Sequence, residues 1–178
     1  KYNLSTNLNK RFYETQESNT LNSNYINDLF YVNKKLSSGK IAISDKILAS
    51  TQNGLSIIDP DNNEINNYPS LDDTNIYNIF SVDDDILIHT ENGIYKIESI
   101  NKETLILEQI SNSIENSKIR IINNNEFILY TPSSNIFKRI IKFKNNYTVL
   151  DVSVPREFSI NDIRNYKGLN ILDKGLSV

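Results

Sequence analysis

The sequence predicts an all-β fold made of repeated sheets of four antiparallel strands. Its apolar residues come in runs of about four to eight, bounded by Asn, Asp, Gly, Ser and Pro. Ala is almost absent, whereas Ile, Val, Tyr, Phe and Thr are common, which favours strands over helices. A strand–turn–strand pattern also recurs at a nearly constant spacing, which indicates an internal repeat.

The composition also indicates the source. Asn and Ile are the two most abundant residues. Both have AT-rich codons, as do Lys and Tyr, so the bias points to a low-GC bacterium, a phage of one, or an AT-rich eukaryotic parasite. Because such a bias makes accidental matches easy, the fold prediction depends on spacing rather than on composition.

Three hairpins share one pattern. Each has a short apolar strand that ends in Thr, then a polar turn, then a second apolar strand. They are Lys46–Asp59 (KILASTQNGLSIID), Asp85–Glu98 (DILIHTENGIYKIE) and Glu126–Arg139 (EFILYTPSSNIFKR).

The spacing of these hairpins indicates a β-propeller. The pairs that begin at Gly54, Gly93 and Asn135 lie about 39 and about 42 residues apart, and a fourth copy in Gly168–Val178 places Gly175 about 40 residues further on. This is the length of a four-stranded propeller blade. A β-sandwich or a meander remains the alternative, because either would also show closely spaced strands.

Flanking strands complete each unit. The first strands are Tyr25–Leu29, Asn75–Ile79, Lys118–Ile122 and Ser159–Ile163, and the fourth strands are Glu64–Tyr68, Thr104–Ile110 and Tyr147–Val152. The chain therefore divides into an N-terminal arm or closing strand, 1–24, and a propeller domain, 25–178. Its repeat units are 25–69, 70–111, 112–153 and an incomplete 154–178.

The turn residues fit this assignment. Asn53-Gly54 and Asn92-Gly93 are dipeptides that supply positive φ in two-residue hairpins. In the third unit a longer loop replaces them, and Asn135 takes the strained position. Gly175 is the equivalent turn residue of the fourth unit.

The segment KILASTQNGLSIIDPDNNEINNY resembles the two-component-regulator propeller repeat, a short-blade family of periplasmic sensor domains. DILIHTENGIYKIE matches the same pattern. Leu48 and Leu87 stand where the family usually has an aromatic residue, and the third unit lacks the Gly. The resemblance implies a propeller fold but no particular ligand.

Residues 25–178 hold three complete units and most of a fourth, whereas propellers typically have four to eight blades. With no Met in the chain, we expect a portion of a larger assembly. The alternative is a ring that closes at four, in which a strand from the arm, such as Lys1–Leu8, supplies the missing edge.

Composition makes several functional classes improbable. The chain has no Cys and a single His, so disulfides, thiolate chemistry and transition-metal sites are not expected. A net charge of -3 argues against a nucleic-acid binder. No apolar run is long enough to span a bilayer. We expect no cofactor.

Two acidic turns are candidate cation sites. Asp59-Pro-Asp61-Asn-Asn63 spaces oxygen ligands like the start of a calcium loop, but it lacks the Gly and the distal Glu that such a loop needs. Asp83-Asp84-Asp85 precedes a strand. We interpret both as solvated turns.

Catalytic candidates are few. His89 would have to serve any Ser-His-Asp triad, but it occupies a strand position matched by Ser50 and Thr131 in other units, which favours a structural role. Asp45, Asp85 and Glu126 begin the second strand of their units. They could converge in a propeller channel, but repeated polar strand ends explain them equally well.

Two groups are candidates for interaction. Lys138, Arg139, Lys142 and Lys144 form a basic strand that could bind an anionic partner, the alternative being an outer strand whose Lys residues protect an edge. Tyr25, Tyr77 and Tyr95 could pack between blades or line a binding face.

The sequence thus predicts a non-enzymatic β-propeller module that recognises a protein or a glycan, or builds an assembly, as a bacterial surface or sensor domain. One alternative is a structural component of a phage or secretion particle. Another is an enzyme with a carboxylate site in the propeller channel. An extracytoplasmic location, periplasmic or at the surface, or a virion is favoured.

Overall fold

The computed structural model describes residues 2–3, 8–9, 20–33, 44–101, 104–114, 116–132 and 136–153. Regular structure in these ranges is β-strand, apart from one turn of 3-10 helix at Pro69–Leu71. The all-β prediction is therefore confirmed, as is the prediction of four-stranded antiparallel sheets. No helix within the described ranges is long and apolar enough to cross a membrane.

The chain divides into two compact units, Lys1–Ser113 and Ile114–Val178. The first unit contains a small pair of strands, β1 (Tyr2–Asn3) and β2 (Leu8–Asn9), and two four-stranded sheets. Among the described residues, β1 pairs only with β2.

The two sheets of the first unit are simple antiparallel meanders. The first sheet has the order β3-β4-β5-β6 and the second has the order β7-β8-β9-β10. The strands are β3 (Ile26–Val32), β4 (Lys46–Thr51), β5 (Gly54–Ile58), β6 (Ile65–Asn67), β7 (Ile76–Val82), β8 (Asp85–Thr90), β9 (Gly93–Ile100) and β10 (Leu105–Asn112).

The second unit contains the third sheet, with the order β11-β12-β13-β14. Its strands are β11 (Lys118–Asn123), β12 (Glu126–Tyr130), β13 (Ile136–Phe143) and β14 (Asn146–Ser153). Its core is formed by Ile128, Tyr130 and Phe137, with Ile122 and Val152 packed against them.

The first and second sheets have the same register. Leu48 lies opposite Phe30 and Ile57 in the first sheet, and Leu87 lies opposite Phe80 and Lys96 in the second. Each first strand also has one irregularity near its beginning, between residues 26 and 28 in β3 and between residues 76 and 78 in β7. The sheets can therefore be compared residue by residue.

Equivalent leucines occupy the centre of the second strands. Leu48 and Leu87 are fully buried, and Ile128 at the corresponding place in the third sheet is 1% exposed. This agreement follows from the strand period of two, which turns the same alternate residues of each unit toward one face.

A threonine closes the turn after the second strand in both sheets. The Thr51 hydroxyl donates to the Gly54 carbonyl (2.9 Å) and accepts from the Asn53 N–H (3.1 Å). Thr90 donates to the Gly93 carbonyl in the same way. Sequence reasoning missed this hydroxyl, although the Thr recurs at one offset from the turn.

The glycines are needed, but their positions differ from the expected ones. Asn53 and Asn92 do not have positive φ; the positive φ belongs to Gly54 (124°) and Gly93 (150°), each the first residue of the third strand. Space is also restricted, since a Cβ at Gly93 would lie 2.2 Å from the Ser111 carbonyl oxygen. The turns are thus made of Gln52-Asn53 and Glu91-Asn92, with Gly directly after them.

The first two sheets share one apolar core. Phe30, Leu48, Leu55 and Ile57 of the first sheet face Ile79, Ile86, Ile88 and Ile97 of the second, together with Tyr68 and Leu71 from the connection. The closest backbone approaches between these sheets are those of β7 to β3 and β4. The two sheets therefore approach each other most closely at β7, the first strand of the second sheet.

A short segment before β3 covers part of the opposite face of the first sheet. Leu21 packs on Ala49, Ile58 and Ile65. The Asn67 side chain donates to the Thr20 carbonyl at 2.7 Å, which holds this segment beside β6.

Candidate functional site

Two polar residues of β3 join the first strands of the two sheets. The Asn27 amide donates to the Asn75 side chain (2.9 Å) and to the Ile76 carbonyl (2.8 Å). The Asp28 carboxylate accepts from the Ile79 N–H at 3.0 Å. We call Asn27 and Asp28 the latch. Because β7 is bonded to β8 on its other side, the latch satisfies backbone groups that β7 turns toward the first sheet.

The latch sits next to an exposed surface. Tyr25 is 68% exposed and Tyr77 is 37% exposed. The Tyr25 carbonyl accepts from the Gln52 N–H, and the Asn75 carbonyl accepts from the Glu91 N–H. The tyrosines and the two hairpin turns therefore lie at one end of the paired sheets. We call this the turn-end surface, formed by Tyr25, Gln52, Asn53, Tyr77, Glu91 and Asn92.

The turn-end surface suits adaptable contact. Tyr offers a broad rigid ring with a hydroxyl, and amide side chains both donate and accept hydrogen bonds. Glu91 is its only charged side chain, and Glu91 also accepts from the Asn75 N–H at 3.4 Å. Such a surface can bind a partner, but it places no nucleophile beside a general base.

Behind Tyr77 lies the single histidine. His89 is fully buried, and its ring meets the Tyr77 ring edge-on with a centroid distance of 5.1 Å. Burial lowers the pKa of His89 from 6.5 to about 4. The imidazole is therefore neutral at ordinary pH and has no access to a substrate in solution.

Each sheet has an ion pair at the start of its second strand. Lys46 contacts Asp59 (2.6 Å) in the first sheet, and Arg139 contacts Glu126 (2.6 Å) in the third. The pairing with Lys46 lowers the pKa of Asp59. In the second sheet Asp85 stands 3.9 Å from Lys96.

Lys96 is the centre of an acidic cluster. Its ammonium group lies 2.5 Å from Glu98 and 3.6 Å from Glu108, in addition to Asp85. Burial alone would lower the pKa of Lys96, but the hydrogen bond to Glu98 and the three carboxylates together raise it. The lysine thus neutralises part of the negative charge that would otherwise attract a cation.

The three carboxylates suggested for a channel site are accordingly engaged elsewhere. Asp85 and Glu126 belong to the ion pairs, and Asp45 accepts from the Tyr31 hydroxyl at 2.6 Å. That hydrogen bond raises the pKa of Tyr31. Within the first unit, nothing brings Asp45 and Asp85 to a shared substrate position in the described residues.

The acidic turns have the geometry of turns. In the first, the Asn63 N–H donates to the Asp59 carbonyl, and the Asp61 N–H donates to the Asp59 carboxylate. Asp83 and Asp84 form the connection between β7 and β8. No group of His, Asp and Glu suited to a metal ion occurs in the described part of the chain.

The basic residues of β13 do not form one exposed patch. Lys142 is buried, and Arg139 is paired with Glu126. Lys138 is half-buried, and Lys144 lies in the turn after β13 with its ammonium group 5.6 Å from the Phe143 ring centroid. Since β13 lies between β12 and β14, these residues do not protect a sheet edge.

The remaining predicted turn residues, Asn135 and Gly175, lie outside the described residues. Ile136, not Asn135, has the register position of Gly54 and Gly93, because Ile128 lies opposite Arg139. The latch was missed in the sequence, although its Ile-Asn-Asp signal recurs at residues 160–162.

No family model, curated protein or solved structure matches this chain.

Proposed function

We propose that the chain is a non-enzymatic β-propeller module that binds a protein or a glycan through the turn-end surface. The exposed Tyr25 and Tyr77, side by side with two polar turns, are the observation that carries the proposal. Exposed aromatic rings among hydrogen-bonding side chains are typical of recognition surfaces.

The packing of the first two sheets supports the propeller architecture. They are meanders of four strands in one register, and they stack face to face with their first strands closest. Repeating that step from sheet to sheet turns each one about a common axis, which is how blades form a ring. The Asn27–Asp28 latch would lie near that axis.

The pairing and burial of the candidate catalytic residues favour a binding function over catalysis. Asp85 and Glu126 are held in ion pairs, and buried His89 has its pKa lowered to about 4. General acid–base catalysis needs a group that reaches the substrate with a pKa near the working pH. Binding a partner needs only exposed side chains that can contact it, and the turn-end surface provides these.

A binding screen with paired variants tests the proposal. The wild-type chain is passed over a glycan array and over immobilised bacterial surface proteins, and any ligand found is titrated against a Tyr25→Ser/Tyr77→Ser variant. We expect affinity to fall about tenfold or more in that variant. Phe143→Ser, which removes another exposed ring, should bind like wild type.

Three results would contradict the proposal. They are the absence of any ligand in both screens, equal affinity of the double variant and wild type, and chemical conversion of the bound ligand. Mass spectrometry of the recovered ligand detects conversion. Circular dichroism of each variant shows whether the sheets are retained.

A further inference from the structure

The chain contains two Asn-Gly pairs, Asn53-Gly54 and Asn92-Gly93, and each lies where a hairpin turn meets the third strand of its sheet. Both asparagines are exposed, whereas both glycines are buried. Asparagine followed by glycine is chemically labile, because glycine has no Cβ to shield its backbone nitrogen from the preceding side chain. The two turns are alike in sequence, so a difference in lability has to come from the surrounding structure.

The reaction of such a pair needs only water. The backbone nitrogen of the glycine loses its proton and attacks the side-chain carbonyl carbon of the asparagine, and the side-chain nitrogen takes up a proton and leaves as ammonia. The product is a cyclic imide. Water then opens either carbonyl–nitrogen bond of the imide and gives aspartate or isoaspartate, with no oxidation or reduction. The backbone of the asparagine has to rotate for the attack, so hydrogen bonds that hold its peptide group slow the reaction.

The second turn holds the peptide group of its Asn-Gly pair at both ends. The Gly93 N–H, which contains the attacking nitrogen, donates to the Thr90 hydroxyl at 3.2 Å. The Asn92 carbonyl accepts from the Ser113 N–H at 3.3 Å and from the Gln109 side chain at 3.5 Å. The peptide group that links Asn92 to Gly93 is therefore restrained at its nitrogen and at its oxygen.

The first turn lacks these restraints in the described part of the chain. The Thr51 hydroxyl accepts from the Asn53 N–H and donates to the Gly54 carbonyl, but it does not accept from the Gly54 N–H. The Asn53 carbonyl has no hydrogen-bond donor among the described residues. Crowding does not distinguish the turns, because a Cβ would lie 2.8 Å from a backbone oxygen at Gly54 and 2.2 Å from one at Gly93.

The length of the fourth strand explains the difference. β10 extends to Asn112, which lies opposite Gly93, and this brings the following Ser113 N–H to the second turn. β6 ends at Asn67, which lies opposite Ser56, and so it does not reach Gly54. The second turn is therefore supported by its fourth strand, and the first turn is not.

We propose that Asn53 is a self-modification site, which the folded protein converts through the cyclic imide to aspartate or isoaspartate while Asn92 is preserved. The conversion adds a carboxylate to the turn-end surface, where Glu91 is otherwise the only charged side chain. Isoaspartate also lengthens the backbone of the turn by a carbon atom. The turn-end surface therefore gains negative charge as the protein ages, and this change depends neither on a bound partner nor on the arrangement of the sheets in a ring.

Peptide mapping of the intact chain tests the proposal. The folded protein is kept in mildly alkaline buffer made with heavy-oxygen water, so that only asparagines converted during the incubation carry the isotope. Mass spectrometry of the two turn peptides then gives the rate at each site. Asn53 should convert about tenfold or more faster than Asn92, because the additional hydrogen bonds of the second turn have to open first. In urea, where both turns are unfolded, the two rates should become nearly equal.

Thr90→Val supplies the matched variant. Valine has the shape of threonine but lacks the hydroxyl that holds the Gly93 N–H. The rate at Asn92 should rise about threefold or more, whereas the rate at Asn53 in the same chain should stay unchanged and serve as the internal reference. If the substitution loosens the whole sheet, both rates rise, and the comparison of folded and unfolded wild type still decides the proposal.

Equal rates at Asn53 and Asn92 in the folded wild type would overturn the proposal. A faster rate at Asn92 would do the same, as would a folded chain in which Asn53 is stable under conditions that convert it in urea. An unchanged rate at Asn92 in Thr90→Val would contradict the assigned cause of its protection.

Discussion

The hairpin turns after β4 and β8 are each stabilised by one threonine side chain and one glycine backbone. A threonine hydroxyl bonds to the glycine carbonyl and to the turn N–H groups, and the glycine supplies a backbone angle that other residues rarely adopt. Asn contributes less, since neither Asn53 nor Asn92 has positive φ.

This division of roles predicts unequal effects of substitution at adjacent positions. Gly93→Ala should lower the free energy of unfolding by about 2 kcal/mol or more, because φ is strained and the new Cβ meets the Ser111 carbonyl. Asn92→Ala should cost less than about 1 kcal/mol, because its backbone contacts remain. Urea denaturation measures both, and equal losses would contradict the account.

A buried histidine makes stability depend on pH. The pKa of His89 is about 4 when folded and near its ordinary 6.5 when unfolded, so the unfolded chain binds the proton first as the pH falls. Protonation of His89 therefore does not reduce the free energy of unfolding above about pH 6.5. Between pH 6.5 and 4 it lowers the free energy of unfolding by about 3 kcal/mol.

A matched variant isolates this effect from the carboxylates that titrate in the same range. The free energy of unfolding is measured from pH 4 to 7 for wild type and for His89→Gln. The wild type should lose more stability than the variant on acidification. Parallel curves would show that His89 is not buried as described.

At the scale of the element, the strands are held by matched apolar positions of successive sheets. Leu48 and Leu87 occupy the same place in β4 and β8 and are completely buried. Polar strand ends are tied by the ion pairs Lys46–Asp59 and Glu126–Arg139. Partly exposed pairs contribute little stability, so the burial of the central residues dominates.

Truncation within one sheet tests this ranking. Leu87→Ala should lower the free energy of unfolding by about 2–5 kcal/mol, since it removes a buried side chain and leaves a cavity. Ile106→Ala on β10 of the same sheet should cost less than about 1 kcal/mol, because Ile106 is largely exposed. Chemical denaturation of the two variants gives the comparison, and similar losses would contradict the assigned burial.

The sequence allowed the strands to be predicted better than the surfaces. Apolar runs such as KILAST and DILIHT before a polar turn strongly favour a β-strand, and in the structure they form β4 and β8. Burial of Lys142 could not be foreseen, because alternation tells which residues share a face but not what covers that face. The latch was missed for the same reason, since the hydrogen bonds of Asn27 and Asp28 to Asn75, Ile76 and Ile79 form only when the second sheet is present.

At the scale of the whole molecule, the repeat explains more than any single site. The first two sheets share a register, a core and a polar latch between first strands. The nearly constant spacing of the hairpins predicted that a four-stranded sheet is repeated along the chain. Such sheets occur in series because each one needs a neighbour to cover its faces. The spacing could not predict the turn-end surface, because the exposure of Tyr25 and Tyr77 depends on how the first strands and turns are arranged.

The arrangement of successive sheets about one axis is the central claim, and spin-label distances test it most directly. Exposed Gln52, Glu91 and Pro132 follow equivalent second strands, so labelled Cys pairs at 52/91, 91/132 and 52/132 are compared. A ring predicts that the 52/91 and 91/132 distances are equal, with 52/132 longer by a factor of about 1.4 for four blades and up to about 1.8 for eight. Unequal adjacent distances, or a factor of about 2 as in a straight stack, would contradict the propeller.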